Sequence, residues 1–277
     1  MKRGDINIAV LRIEGTNCEQ EVWDSFANLG ACPHFLHLKE LLGVDFPKKN
    51  MFDYQCLFIP GGFSSGDYVR AGAIFASRIK ARLMDELIEY IKEGYPLIGI
   101  CNGFQVLIEL GILPGLDGIS KIPQACLAVN DSDRYECRPT FLRYENNGGC
   151  HITSRLEKGE IRVIPSAHME GKLLFPLRET KNYLRKLEEN DQIVFRYVDP
   201  DGNRGGYPWN PNGSVDNIAG ICNQEGNVLG MMPHPERTFF SWQHHDWSRR
   251  GKQWFKAGVG DGKALFESIL DYIAKKY

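Results

Sequence analysis

Pro96-Leu97-Ile98-Gly99-Ile100-Cys101-Asn102-Gly103-Phe104-Gln105-Val106-Leu107-Ile108 joins two hydrophobic patterns at a single cysteine. Residues 96–100 form a short apolar run without polar alternation, as expected of a strand buried on both faces. From residue 102 a helical run follows, reaching Leu110. Strands of this kind belong to parallel sheets sandwiched by helices, so the junction predicts one βα unit of an α/β fold. Gly99 and Gly103 permit a tight turn around Cys101. The helix start brings unpaired N–H groups and the positive end of a helix dipole beside the sulfur. A cysteine ending a core strand is usually inert packing. The setting strand–Gly-x-Cys-x-Gly–helix points instead to a nucleophile.

Working outward, residues 6–13 and 54–59 read as further buried strands, with another near 35–38. Cys18, Val22, Phe26 and Leu29 lie at helical spacing, with Asn17 as the expected cap and Gly30 as the stop. Phe75, Ile79, Leu83, Leu87 and Ile91 recur every four residues and predict one helix over 73–93. This alternation predicts a doubly wound, mostly parallel sheet. Beyond Gly111, short strands over 141–144, 161–164 and 193–198 suggest an antiparallel extension. A long irregular loop covers 199–216, two strands over 218–222 and 228–232 flank a turn, and an amphipathic helix spans 264–275. At 277 residues the chain reads as one elaborated domain, 1–277.

The formal charge of −2 gives no drive toward nucleic acid or an anionic membrane. No apolar run approaches the ~20 residues that span a bilayer, and the first is too short for a signal peptide, so a cytoplasmic protein is expected. Eight cysteines without a CxxC pair read as free thiols, and no metal site is expected. His244-His245 beside Asp246 reads as a solvated loop in preference to a metal site.

Two further motifs carry chemistry. Pro60-Gly61-Gly62-Phe63-Ser64-Ser65-Gly66 follows a strand but lacks the Gly-Lys-Ser/Thr of a phosphate loop, so ATP binding there is not expected. Backbone amides of Gly62 or Phe63 suit an oxyanion better. In Pro233-His234-Pro235-Glu236-Arg237, two prolines restrain the histidine, and Glu236 stands two residues on, where it can share a side with His234. That arrangement suits a base and its orienting carboxylate.

Gly99–Gln105 and Pro233–Arg237 resemble the two signatures of the class I (triad) glutamine amidotransferases. The loop 60–72, Cys137-Arg138, Lys158-Gly159-Glu160-Ile161, Ala167-His168-x-Glu170-Gly171, Pro211-Asn212-Gly213-Ser214 and the run 227–233 narrow the likeness to glutaminase subunits of phosphoribosylformylglycinamidine synthases. The resemblance covers about 6–237 and the last helix. It implies a flavodoxin-like class I glutaminase fold. It also implies Cys101 as nucleophile, His234 as base, Glu236 as orienter, Gly62 and Asn102 as oxyanion donors, and Gly61, Phe63 and Gln105 as substrate contacts. Glutamine would be the substrate, with no cofactor in this chain. ATP and Mg would sit on a large synthetase subunit, with a small bridging subunit as a further partner. The alternatives are a glutaminase serving another synthetase and a cysteine peptidase or deglycase on a similar fold. The segment 237–261 departs from small free-standing subunits. Its Trp242, Trp247 and Trp254, with Arg249, Arg250 and Lys252, predict either a partner-docking segment or a piece of the domain's own core.

Overall fold

The computed structural model describes the backbone of residues 1–277 and every side chain except those of Trp254 and Phe255. The first half alternates strand and helix: β1 (Asn7–Arg12), α1 (Glu19–Asn28), β2 (Cys32–His37), α2 (Leu38–Leu42), β3 (Cys56–Ile59), α3 (Ala73–Arg82), α4 (Met84–Lys92), β4 (Leu97–Ile100) and α5 (Asn102–Glu109). The second half is richer in strands: β5 (Cys126–Ala128), β6 (Glu136–Tyr144), β7 (Ile161–His168), β8 (Lys172–Leu174), α6 (Thr180–Glu189), β9 (Ile193–Val198), β10 (Ile218–Cys222) and β11 (Val228–Met231). Two helices close the chain, α7 (Lys252–Ala257) and α8 (Lys263–Lys276).

One nine-stranded sheet runs β2-β1-β3-β4-β11-β10-β9-β6-β7, and β5 pairs with β8 apart from it. From β2 to β11 every pairing is parallel, and from β11 to β7 every pairing is antiparallel. The chain is therefore α/β, with a doubly wound parallel region and an antiparallel extension. β11 arrives from late in the chain to lie beside β4, and this joins the two regions. It also sets Pro233-His234 just beyond one strand end and Cys101 just beyond its neighbour.

Apolar side chains cover both faces of the sheet. On one face Phe26 of α1, Phe58 of β3, Phe266 of α8 and Phe239 pack ring to ring, with centroids 5.0–5.9 Å apart. Each such buried ring contributes about 2–3 kcal/mol of apolar transfer. On the other face α5 lies against two glycines paired across neighbouring strands, Gly99 and Gly230. A methyl group on Gly99 would stand 2.7 Å from Leu107, and one on Gly230 2.1 Å from Phe104. The bare backbone there seats the helix directly on the strands.

Three local expectations change. The helix over 73–93 is two helices broken at Leu83, which adopts φ −123° and ψ −1°. A period of four overshoots a 3.6-residue turn by about 40° per step, so an unbroken helix would rotate its apolar stripe off the core. The break resets the phase, and Phe75, Ile79, Leu83, Leu87 and Ile91 all stay buried. Asn17 does not cap α1; Cys18 holds that position without a side-chain cap bond, while the Asn17 N–H donates to Gly61 O at 3.1 Å. His244 is buried rather than solvated, paired with Asp246 and, at 3.5 Å, with Asp261.

Candidate active site

Cys101 occupies the turn between β4 and α5 with φ +51° and ψ −106°. A positive φ is uncommon for a side chain with a Cβ and stores strain of order 1–3 kcal/mol. Backbone bonds on both sides hold it. The Cys101 N–H donates to Met231 O at 2.8 Å, and its carbonyl accepts from Gln105 N at 3.1 Å. The turn also needs glycine at 103, where a methyl would stand 2.0 Å from Ile59 O. The thiol lies 3.6 Å from Ala167 O at the end of β7.

His234 leaves the end of β11, and its N–H donates to Pro165 O at 2.8 Å. Its Nδ1 lies 2.6 Å from Glu236 Oε1, and both residues are buried. Its Nε2 is also buried and has no hydrogen-bond partner, on a residue that lines the same pocket as Cys101. Burial alone would discharge the imidazole, but the Glu236 carboxylate and then Cys101 outweigh it and raise its pKa well above the ordinary value. One nitrogen is thus fixed by a carboxylate, and the other is free for chemistry.

Gly61 lets these groups meet. A methyl there would stand 2.6 Å from His234 Cε1, 3.2 Å from Cys18 Sγ and 3.3 Å from Cys101 Cβ. Gly61 lies behind the pocket, with its carbonyl taken by the N–H groups of Asn17 and Cys18. The absence of a side chain there is what lets His234, Cys18 and Cys101 come together. Phe63 lines the pocket and is exposed, and its N–H is committed to Gly15 O at 2.9 Å, so of the two amides expected to face an oxyanion that of Phe63 is already taken. The Asn102 side chain ties loop to elbow, accepting from Ser64 N at 3.3 Å and donating to Asp67 at 3.3 Å and to Gln105 Oε1 at 2.9 Å. Gln105 lines the pocket, but its amide donates to Glu170 O at 2.6 Å, so it braces the wall beside Glu170.

The cavity holds about 400 Å³ and is lined by Cys101, His234, Gly62, Phe63, Gln105, Asp67, Ala71, Tyr135, Ala167, His168, Met169, Glu170, Asn17, Cys18 and Arg237. Several of these escaped the sequence reading as site residues. Cys18 lies 3.9 Å from His234 Nδ1 and accepts from Arg237 Nη2 at 3.1 Å; burial first of all raises its pKa. Asp67 is pushed up to about 6 by burial and then by Glu170. Arg237 belongs to the Pro-His-Pro-Glu-Arg run, and His168 and Glu170 belong to a motif singled out above only as a family marker. Cys18 carried no local signal, because only the fold brings it to His234. Cys18, His234 and Glu236 could geometrically hold a metal, as could His244, His245 and Asp246. In each group carboxylate–histidine pairing already accounts for the arrangement.

An elbow cysteine beside a carboxylate-bound histidine, on this sheet, is the arrangement of a triad hydrolase, and the likeness to known proteins gives the class as glutamine amidotransferase. Residues 5–273 match the CobB/CobQ-like glutamine amidotransferase domain. The chain is 50% identical to the phosphoribosylformylglycinamidine synthase subunit PurQ of Archaeoglobus fulgidus, over 99% of this chain and all of that one. It is 48% identical to the PurQ subunit of Picrophilus torridus, over 84% of this chain and 88% of the relative. Among solved structures it resembles a chain of PurLQS from Thermotoga maritima, with a TM-score of 0.69 and 31% identity, covering 97% of this chain and 99% of that one. A Thermotoga maritima glutamine amidotransferase, 13% identical with a TM-score of 0.50, shares the fold over 98% of both chains. The chain belongs to the glutamine amidotransferase family and, within it, to the PurQ glutaminase subunits of phosphoribosylformylglycinamidine synthase.

Proposed function

We propose that Cys101, His234 and Glu236 hydrolyse glutamine to glutamate and ammonia through a thioester. The observation that carries this reading is the strained Cys101 sharing one pocket with His234, whose far nitrogen rests on Glu236 at 2.6 Å. The Cys101 sulfur adds to the side-chain carbonyl of glutamine, with the Gly62 and Asn102 N–H groups facing the developing oxyanion. His234 holds a proton beside Glu236 and gives it to the departing nitrogen as the C–N bond breaks. Water then enters and yields a proton to His234. It cleaves the thioester, releasing glutamate and restoring the thiol.

Ammonia passes to an ATP-dependent synthetase subunit, which uses it to convert formylglycinamide ribonucleotide to formylglycinamidine ribonucleotide. ATP and Mg belong to that subunit, a small bridging subunit completes the assembly, and this chain carries no cofactor. The complex works in the cytoplasm, a reading compatible with the fact that no described helix is long and apolar enough to cross a membrane. Segment 237–261 is the docking element. Trp242 and Trp247 stay about half exposed on it, and tryptophan is enriched at interface hot spots.

The test is covalent trapping. Acid quench during glutamine turnover, followed by intact-protein and peptide mass measurement, places a glutamyl adduct on the peptide containing Cys101. An adduct on another residue, or an undiminished adduct in Cys101→Ser, overturns the assignment.

A further inference from the structure

His168 ends β7 directly after Ala167, whose carbonyl faces the Cys101 thiol. Its ring is almost wholly buried, yet it lines the pocket. Asn130 fixes its tautomer. The Asn130 Nδ2 donates to Arg134 O at 2.9 Å and His168 O at 2.8 Å, while its Oδ1 accepts from Gly171 N at 3.2 Å. With the amide so oriented, the 3.2 Å contact between Asn130 Oδ1 and His168 Nδ1 requires a proton on Nδ1. Burial first, and then the charge on His234, hold the ring's pKa down to about 3, so it is neutral and Nε2 carries a lone pair. That Nε2 is buried without any hydrogen-bond partner. An unmet acceptor in a buried wall is costly, and its natural donor is a ligand.

From this geometry we infer that His168 Nε2 accepts a hydrogen bond from the side-chain –NH2 of bound glutamine, making His168 the residue that selects a carboxamide at the reacting carbon. This rests on the glutaminase reading of the pocket. Glutamine offers two kinds of N–H group. Its α-ammonium is matched by the carboxylates of Asp67 and Glu170 in the same pocket. The neutral acceptor belongs to the residue directly after Ala167, whose carbonyl lies 3.6 Å from the Cys101 thiol, so it stands at the reacting end of the pocket and fits the neutral amide there. After C–N cleavage the same lone pair receives ammonia without protonating it. Product glutamate presents only acceptor oxygens to Nε2 and is disfavoured.

The test uses the assembled synthase and two substrates, L-glutamine and L-glutamate γ-methyl ester. The ester keeps the α-groups and the reacting carbonyl but has no side-chain N–H. In His168→Leu, kcat/KM for glutamine falls roughly ten- to a hundredfold, while the value for the ester stays within a few-fold, and His168→Gln recovers most of the loss. Equal falls on both substrates, or no fall on glutamine, overturn the inference and leave the Cys101 chemistry standing. Loss of the thioester adduct at Cys101 would instead remove the reading beneath it. Should His168→Leu fail to assemble, nitrogen-15-labelled histidine in the Cys101→Ala protein decides. Glutamine shifts the His168 Nε2 resonance toward that of a hydrogen-bonded imidazole and the ester does not; the same shift with both ligands contradicts the assignment.

Discussion

At the residue scale the site rests on two histidines held in opposite states by their neighbours. Glu236 keeps His234 charged, whereas burial and His234 keep His168 neutral. Glu236→Gln should therefore lower kcat by a hundredfold or more while the KM for glutamine moves only a few-fold, because the carboxylate acts on the imidazolium and not on bound substrate. Steady-state kinetics at saturating partner decide it; a loss confined to KM would make Glu236 a substrate contact. The two histidines also pull stability in opposite directions with pH. His168 titrates near 6.5 when unfolded and near 3 when folded. Between these values only the unfolded chain binds the proton. Its contribution is full above about 6.5, is lost as pH falls toward 3, and is worth on the order of 5 kcal/mol. For His234 the raised pKa contributes stability below the unfolded value, which is lost as pH rises through the folded one. Urea melts at pH 7 and pH 4.5 should thus show a smaller acid loss in His168→Gln than in wild type. An equal loss would mean the ring is not held neutral.

At the scale of elements, glycines decide how closely the parts approach. Gly61→Ala would press on His234, Cys18 and Cys101 together. Overpacking of this kind costs roughly 1–3 kcal/mol of stability. Because two of the displaced groups are the proposed nucleophile and base, activity should fall a hundredfold or more while the protein still folds. Glutaminase rate and melting temperature measured on one preparation check this, and unchanged activity would contradict the packing described. Much of this level was legible in the residues. The elbow at Cys101 and the histidine–carboxylate pair announce themselves because each is local, a strand end plus a fixed spacing. The break at Leu83 was not, since a period of four fits one helix in sequence and fails only when the stripe must follow a flat sheet. Cys18 at His234, Asn130 behind His168 and the bracing by Gln105 depend on approaches between segments 38 to 216 residues apart. No local pattern encodes them.

At the scale of the whole molecule, the sheet divides the labour. The parallel region carries Cys101, and β11 carries His234 to it. The antiparallel extension supplies the opposite wall through Ala167 and His168 at the end of β7. Segment 237–261 is tied down at both ends. Phe239 lies in the core, and Gly260 and Gly262 N–H groups donate to Phe239 O and Thr238 O at 2.9 and 3.0 Å. The segment packs inward at Phe239 and His244, while Trp242 and Trp247 stay about half exposed and so do not complete the domain's own core. The docking proposal expects Trp242→Ala combined with Trp247→Ala to weaken synthetase binding at least tenfold, with melting temperature unchanged. Lower thermal stability with normal affinity would make both residues part of the core. Release of ammonia by way of Cys101 for use by a partner is checked by Cys101→Ala in the assembled complex, with synthesis assayed once with glutamine and once with ammonium salt. The expected result is glutamine-dependent synthesis lowered by several orders of magnitude with ammonia-dependent synthesis intact; near-normal use of glutamine by the variant would contradict it.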